Sequence, residues 1–432
     1  MENIQIVADR TEEILKEKDV QMAYFTVSSS EMREFNVEGG EFSLFRTLYD
    51  SDLNITVYKD QKKGVVTINR LEEPAIREAV ENGLKSAESG IADPDHGIAP
   101  KQEKKVFRQG VYEPDIERFF ARSQELMEDV KEQFPKILIH SIVLSHTKYH
   151  SVYRNTNGTE FETYSGAYSV SLGFAGHEGE QTTSLCGSEF KTESLEKPFI
   201  SLGSLKKDLE DAQAQLGPVS LSGKLDGVLI LTPQCLSELL YGVISNFVSD
   251  HAVLEKTSIW MDKLGKKVAD ERLTISAAPL DERILCGQRY TQEGFLAENY
   301  DVIKNGVLQS FMLSLYVANK TGFERAKNTS YAIVIEGGDM SYEEMIRNVK
   351  SGMIVGGFSG GQPSVNGDFS GVAKNGFLIE DGNIKGAVTE VMISGNLSEL
   401  LNHLVGISKE TVADGDKVLP YMAFTDVVIA GK

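Results

Sequence analysis

Gly357-Phe358-Ser359-Gly360-Gly361 has the spacing GxSxG, in which a serine on a tight strand-to-helix turn becomes an exposed nucleophile. Asp368 or Asp381, and then His403, follow in the order Ser, Asp, His that an acyl-transfer triad could draw on. That chemistry needs a helix after the serine to hold its Oγ on the strained turn. Here Pro363, Asn366 and Gly367 lead into a segment that reads as a strand. The three residues would also lie within 359–403, with no room for intervening βα units. A glycine-rich turn at the end of a strand is the preferred reading.

Metal chemistry needs converging His, Cys or carboxylate ligands. His177-Glu178 begins like a helical zinc motif, but positions 181 and 182 are Gln and Thr, and Gly176 and Gly179 favour a turn. His140, His146 and His150 could share one face of a strand. At the strand rise, however, His146 and His150 would stand ~13 Å apart, too far for one ion. Cys186, Cys235 and Cys286 are odd in number and form no CxxC pair, so they read as buried free thiols. Neither GxxxxGK[ST] nor a strand–helix GxGxxG occurs, which leaves nucleotide binding unsupported.

The elements that would position such residues fall into two sets. Ile4, Val7, Ile14 and Leu15 predict a helix with one buried stripe near the N-terminus. Residues 21–70 then read as a meander of about five short strands, punctuated at 39–40, 50–52 and 61–64. A second helix spans Ala75 to Ala87, and 90–113 reads as a long surface loop. A third helix carries Phe119, Leu126, Val130 and Phe134, followed by a hairpin that turns at Asn155-Thr156-Asn157-Gly158. After a polar helical segment and Gly217-Pro218, a strand at 227–231 leads to Thr232-Pro233, an N-cap with a first-turn proline. The helix so begun buries Leu236, Leu239, Leu240, Val243, Ile244 and Phe247.

Residues 356–404 are the most distinctive stretch. Short apolar runs alternate with Asn375-Gly376 and Asp381-Gly382-Asn383, which supply the positive φ of tight hairpin turns. The stretch closes in SGNLSELLNHL, where Asn396 or Ser398 caps a short helix. The expectation is an α+β protein: an N-terminal antiparallel sheet with flanking helices over 1–205, then a β-rich C-terminal domain with a buried helix over 218–432.

The chain carries 64 acidic against 44 basic side chains, a net charge of −20, which argues against binding a nucleic-acid backbone. No apolar run reaches the ~18 residues of a membrane helix, and no signal peptide is visible, so a cytoplasmic location is expected.

Gly367-Asp368-Phe369-Ser370, Gly376-Phe377-Leu378-Ile379-Glu380-Asp381-Gly382 and Gly395-Asn396-Leu397 resemble the C-terminal signature of the TldD/PmbA proteins, also called modulators of DNA gyrase. The resemblance implies a metallopeptidase family. In its D-type members the helix after the strand at 227–231 carries HExxxH, with histidines for zinc and a glutamate as base. In this sequence Ser237, Glu238 and Gly242 stand at the His, Glu and second His positions, and neither serine nor glycine supplies an imidazole. The chain therefore resembles the E-type subunit, PmbA or TldE. The resemblance implies no zinc in this chain, zinc in a D-type partner, and unfolded peptide as substrate. Asp368, Ser370, Asn375 and Asn396 could line a peptide-binding cleft; turn and cap roles explain them equally well. Exposed sheet edges could take the peptide as an added strand. The alternatives are a homodimeric hydrolase using Ser359 or an unrecognised site, or a peptide-binding module without a proteolytic partner.

Overall fold

The computed structural model describes residues 3–431. Its N-terminal part is organised on one sheet of long strands, ordered β3-β2-β1-β5-β6-β4, with β7 and β8 also pairing to β6. The strands are β1 (Met22–Glu38), β2 (Glu41–Lys59), β3 (Lys62–Ile68), β4 (Lys105–Gly110), β5 (Ile137–Asn155), β6 (Glu160–Glu178), β7 (Gln181–Thr182) and β8 (Cys186–Thr192). All neighbours are antiparallel except β4 and β6.

Three strands thus stand where five were expected in residues 21–70, because β1 runs unbroken through Ser28-Ser29-Ser30 and Asp50-Ser51-Asp52 does not turn within β2. A ladder is held by main-chain groups, so it tolerates polar residues whose side chains reach water or a partner. Ser51 pairs with Ser29 and Asp52 with Ser28. The Ser28 hydroxyl also donates to the Asp52 carboxylate at 2.6 Å. Residues 90–113 are likewise not all loop, since they contain β4 running parallel to β6.

Helices α1 (Ile4–Glu17) and α2 (Glu73–Ser89) bury Ile4, Val7, Ile76 and Val80 against Phe25, Val27, Ile55 and Val57 of the sheet. Asn3 caps α1 through a bond from Gln5 N–H at 2.9 Å, and proline at the start of α2 uses a position that needs no donor. Helix α3 (Ile116–Gln133) and α4 (Leu205–Ala214) form a second cluster, in which Phe119, Leu126, Leu205 and Leu209 meet Phe35, Leu144 and Val170.

The C-terminal part is built on a larger mixed sheet. Its order is Val307–Leu308, Tyr300–Lys304, Ile275–Ala277, Ile333–Val334, Val418–Phe424, Val228–Leu231, Ser351–Gly360, Asp368–Glu380, Met392–Asn396, Val428–Ala430 and Lys224–Leu225. Helix α5 (Pro233–Val243) follows the central Val228–Leu231 strand. As expected, Thr232 caps it by accepting from Cys235 N–H at 3.4 Å, with Pro233 in the first turn. Its face of Leu236, Leu239, Leu240 and Val243 belongs to the main core, which continues through a π-helical turn, Ile244–Val248, to Phe247 and Trp260. This is the buried helix expected in a β-rich C-terminal region.

Asp381-Gly382-Asn383 turns as expected, with φ of 47° at Asp381 and 73° at Gly382. Asn375-Gly376 does not. Both residues lie inside the continuous strand Asp368–Glu380, where Val355 pairs with Gly376 and Gly357 with Lys374. Asn375 takes φ of 49° there, and the pairing register runs through it unshifted. A positive φ can sit inside a strand as well as in a turn, so the dipeptide alone could not distinguish them.

Candidate functional site

Helix α5 places Glu238 at the mouth of a cavity of about 500 Å³ lined by Tyr241, Ile244, Tyr331, Gln362 and Lys417. Glu238 Oε2 accepts from Phe358 N–H at 3.2 Å, which ties the helix to the strand Ser351–Gly360. Desolvation raises the Glu238 pKa, and the Phe358 bond partly offsets that rise. Tyr241 and Tyr331 face one another with ring centroids 5.8 Å apart. The sequence reading did not single out Tyr241, Tyr331, Gln362 or Lys417. They come from separate segments that only the sheet order brings together, and no spacing along the chain joins them.

Ser237 lies beside Glu238 and lines the same cavity. Gly242 does not face it freely. A Cβ at Gly242 would stand 2.9 Å from Leu397 Cδ1 and 3.0 Å from Pro363 Cγ. Leu397 is fully buried in the core, so the space that a second imidazole would need is filled by packed apolar atoms. A zinc ion therefore does not fit this helix: one carboxylate, one hydroxyl and a glycine are no ligand set. Among the described residues no group of three or more His, Cys, Asp and Glu side chains is placed to hold a metal ion.

The residues of the meander form a compact polar network. Asp368 and Asn396 pair across neighbouring strands, and Asn396 Nδ2 donates to Asp368 Oδ1 at 2.9 Å. Asn366 Nδ2 donates to the other carboxylate oxygen at 2.9 Å. Asn396 Oδ1 accepts from Ser398 N–H and Glu399 N–H at 2.9 and 3.3 Å, capping the helix Leu397–Asn402. These bonds give the pair a structural role, because they close the 364–368 turn and start the helix that fills the space at Gly242. Ser370 pairs with Ser394 two rungs along and is exposed. Asn375 is drawn away from this group, its Oδ1 meeting Cys186 Sγ at 3.4 Å.

The triad is not assembled. Ser359 sits within the strand Ser351–Gly360, paired with Val372, and a strand follows rather than a helix. His403 Nδ1 instead lies 2.9 Å from the Glu399 carbonyl and 3.5 Å from Asp426.

The histidines weighed as metal ligands are also accounted for. His146 is buried with Nε2 2.7 Å from the Val111 carbonyl, and burial lowers its pKa. His150 meets Glu162 at 2.9 Å and stacks on Tyr164. His140 does not share their face. The β5–β6 register shifts between Ile139 and Ser141, and His140 turns outward at that bulge. His177 lies in the β6–β7 hairpin, bonded to Thr182 Oγ1 at 3.0 Å. Cys186 and Cys235 are buried free thiols, whereas Cys286 is exposed, contrary to the expectation for all three.

Residues 225–431 match the PmbA/TldA metallopeptidase C-terminal domain model, and residues 25–87 match the model of PmbA/TldA metallopeptidase domain 1. The chain is 26% identical to the metalloprotease PmbA of Escherichia coli O157:H7, over 94% of this chain and 91% of that protein. It is 27% identical to a PmbA homologue of Haemophilus influenzae, over 84% and 81%. In fold it is similar to TldE from Thermococcus kodakarensis, with a TM-score of 0.86 and 22% identity over 98% of this chain and all of that one. The chain belongs to the TldD/PmbA metallopeptidase family.

Proposed function

We propose that, as a member of this family, the chain is a non-catalytic, E-type subunit of a TldD/TldE-like zinc metalloprotease. A D-type subunit would bring the zinc and the glutamate base, and this chain would help enclose and hold unfolded peptide. The observation that carries the reading is the packing at Gly242, where Leu397 and Pro363 occupy the room a second zinc ligand needs. Glu238 fits it too, since its carboxylate accepts the Phe358 N–H and so ties the helix to its strand.

The same reading divides the chain into an N-terminal domain, 1–205, and a C-terminal domain, 218–432. It places the complex in the cytoplasm, away from nucleic acid. No helix among the described residues is long and apolar enough to cross a membrane. The chain's partner is a D-type subunit rather than a second copy of itself.

The experiment is affinity purification of the tagged chain from its host's cytosol, with partner identification and metal analysis. The expected result is a similar-sized partner carrying HExxxH, with zinc following that partner and none in the chain alone. Stoichiometric zinc in the isolated chain, or recovery of the chain only with itself, overturns the proposal.

A further inference from the structure

Strand β2 is longer than the strand that covers it. β3 pairs with residues 53–59 only, so residues 41–52 have β1 on one side and no strand on the other. Lys59 and Lys62 pair across Asp60-Gln61, which take φ of 52° and 62°. A two-residue turn with both φ positive is framed by a hydrogen-bonded pair, so Lys59 faces β3, as do Val57, Ile55 and Leu53 by alternation. Phe45, Thr47 and Tyr49 continue that series. Their N–H and C=O groups point to the empty side, where they meet no partner among the described residues.

The open edge is apolar on both faces. Leu44 and Leu48 lie on one, 37% and 42% exposed, and Phe45 and Tyr49 on the other, 56% and 60% exposed. Phe45 sits at the rim of a ring cluster, 5.4, 5.5 and 5.7 Å from Phe35, Phe42 and Phe120. No lysine, proline or register shift interrupts residues 44–52, although these are the devices that keep a free edge from pairing.

The charges are ordered as well. Arg46 and Asp50 lie either side of Leu48 on the same face. Arg46 meets Glu34 at 2.9 Å and remains 45% exposed, and Asp50 makes no ion pair among the described residues. Antiparallel pairing about Leu48 sets position 46 of one strand opposite position 50 of the other. The run Arg46-Thr47-Leu48-Tyr49-Asp50 is therefore complementary to its own reverse, as suits a strand that meets a homologous edge across a two-fold.

We propose that this edge is where the D-type subunit docks. An antiparallel edge strand of that subunit adds to β2 along residues 44–51, with an apolar side chain opposite Leu48, a carboxylate opposite Arg46 and a cation opposite Asp50. The proposal rests on the subunit reading above and names the surface that joins the two chains. A long edge that is apolar on both faces needs a standing cover, which a passing peptide does not give. A subunit of the same family is the kind of chain that presents a homologous edge.

The test uses the tagged full chain purified from its host's cytosol, with the D-type subunit recovered per chain measured by mass spectrometry. Thr47→Pro removes an outward N–H that the β1 ladder does not use, so the hairpin should keep its fold. It should recover at least about tenfold less D-type subunit. Thr47→Val keeps the N–H and should recover as much as the parent. Asp50→Arg sets like charges across the pairing and should lose at least about fivefold. Melting temperatures would check that the variants are folded. In hydrogen exchange, the amides of Phe45, Thr47 and Tyr49 should slow at least about tenfold in the complex relative to the chain alone. Parental recovery by Thr47→Pro, or unchanged exchange at these amides, overturns this proposal and leaves the subunit reading standing. A parent chain that recovers no D-type subunit overturns both. A dimer of the chain alone that Thr47→Pro breaks up would give the edge to a second copy and overturn the assignment to the D-type subunit.

Discussion

Gly242→Ala tests the packing argument directly. In an exposed helix interior, glycine to alanine stabilises by about 0.5–1 kcal/mol, because alanine has less unfolded-state freedom to lose. At Gly242 the new Cβ would sit 2.9 Å from Leu397 Cδ1 and 3.0 Å from Pro363 Cγ. Forcing a methyl into a filled core costs about 1–3 kcal/mol, so the sum is a net loss of up to about 2.5 kcal/mol. Leu397→Ala alone should cost about 2–5 kcal/mol as a cavity mutation. Combined, the two should cost less than their sum by about 1–2 kcal/mol, since the second removes half of the first one's collision. The sole tryptophan, Trp260, is a built-in probe: it is buried, packs at a tilt against Phe247 with centroids 4.6 Å apart, and donates to Ser398 Oγ at 3.2 Å. Urea unfolding followed by its fluorescence gives each free energy. If Gly242→Ala stabilises the otherwise unaltered chain, the space is open. A histidine could then enter it, and the case against zinc at α5 fails.

Three further outcomes follow from the same geometry. Asn396→Ala removes a helix cap and the cross-strand bond to Asp368, and should cost about 1–2 kcal/mol in urea unfolding, whereas Ser370→Ala should be near neutral. Asp208 is desolvated, which pushes its pKa from 3.8 up to about 6. A raised carboxyl stabilises the fold below its unfolded pKa and loses that stabilisation as pH rises through the folded one, so Asp208→Asn should gain about 1–3 kcal/mol over the parent at pH 7.5 and little at pH 4, read by thermal melts. The Ser237→His, Gly242→His pair should not acquire tight zinc binding; titration calorimetry showing a stoichiometric high-affinity site would contradict the fit argument.

Much of the fold was legible because it follows local rules. The stripes of Ile4, Val7, Ile14 and Leu15 and of Ala75 to Ala87 gave helices where expected, and Thr232-Pro233 marked the start of α5. The errors share a cause: turn residues do not turn when a strand ladder runs on through them. Asp50-Ser51-Asp52 stays in β2 through its pairs with β1, and Asn375-Gly376 stays in a strand between partners on either side. The bulge at His140, which separates it from His146, leaves no mark in the sequence either. Within the candidate site, the loss of both histidines could be read from residue types alone. That Leu397 fills the space could not, because Leu397 lies far along the chain from α5 and is brought there by the Asn396 cap.

Glu238 and Gly242, one turn apart on α5, carry opposite signs for catalysis. Glu238 keeps the residue type of a general base and a raised pKa, features that can mark an active site. A raised pKa has a structural cause here, though: partial burial beside Tyr241 and Tyr331, with one N–H from Phe358 as its bond. A base also needs a positioned proton to remove, and at α5 that proton would belong to a metal-bound water whose ligands are a serine and a blocked glycine. The geometry therefore assigns Glu238 to docking the helix on its strand. What this part of the chain retains is the shape of a cleft, which in the proposed reading serves to hold peptide.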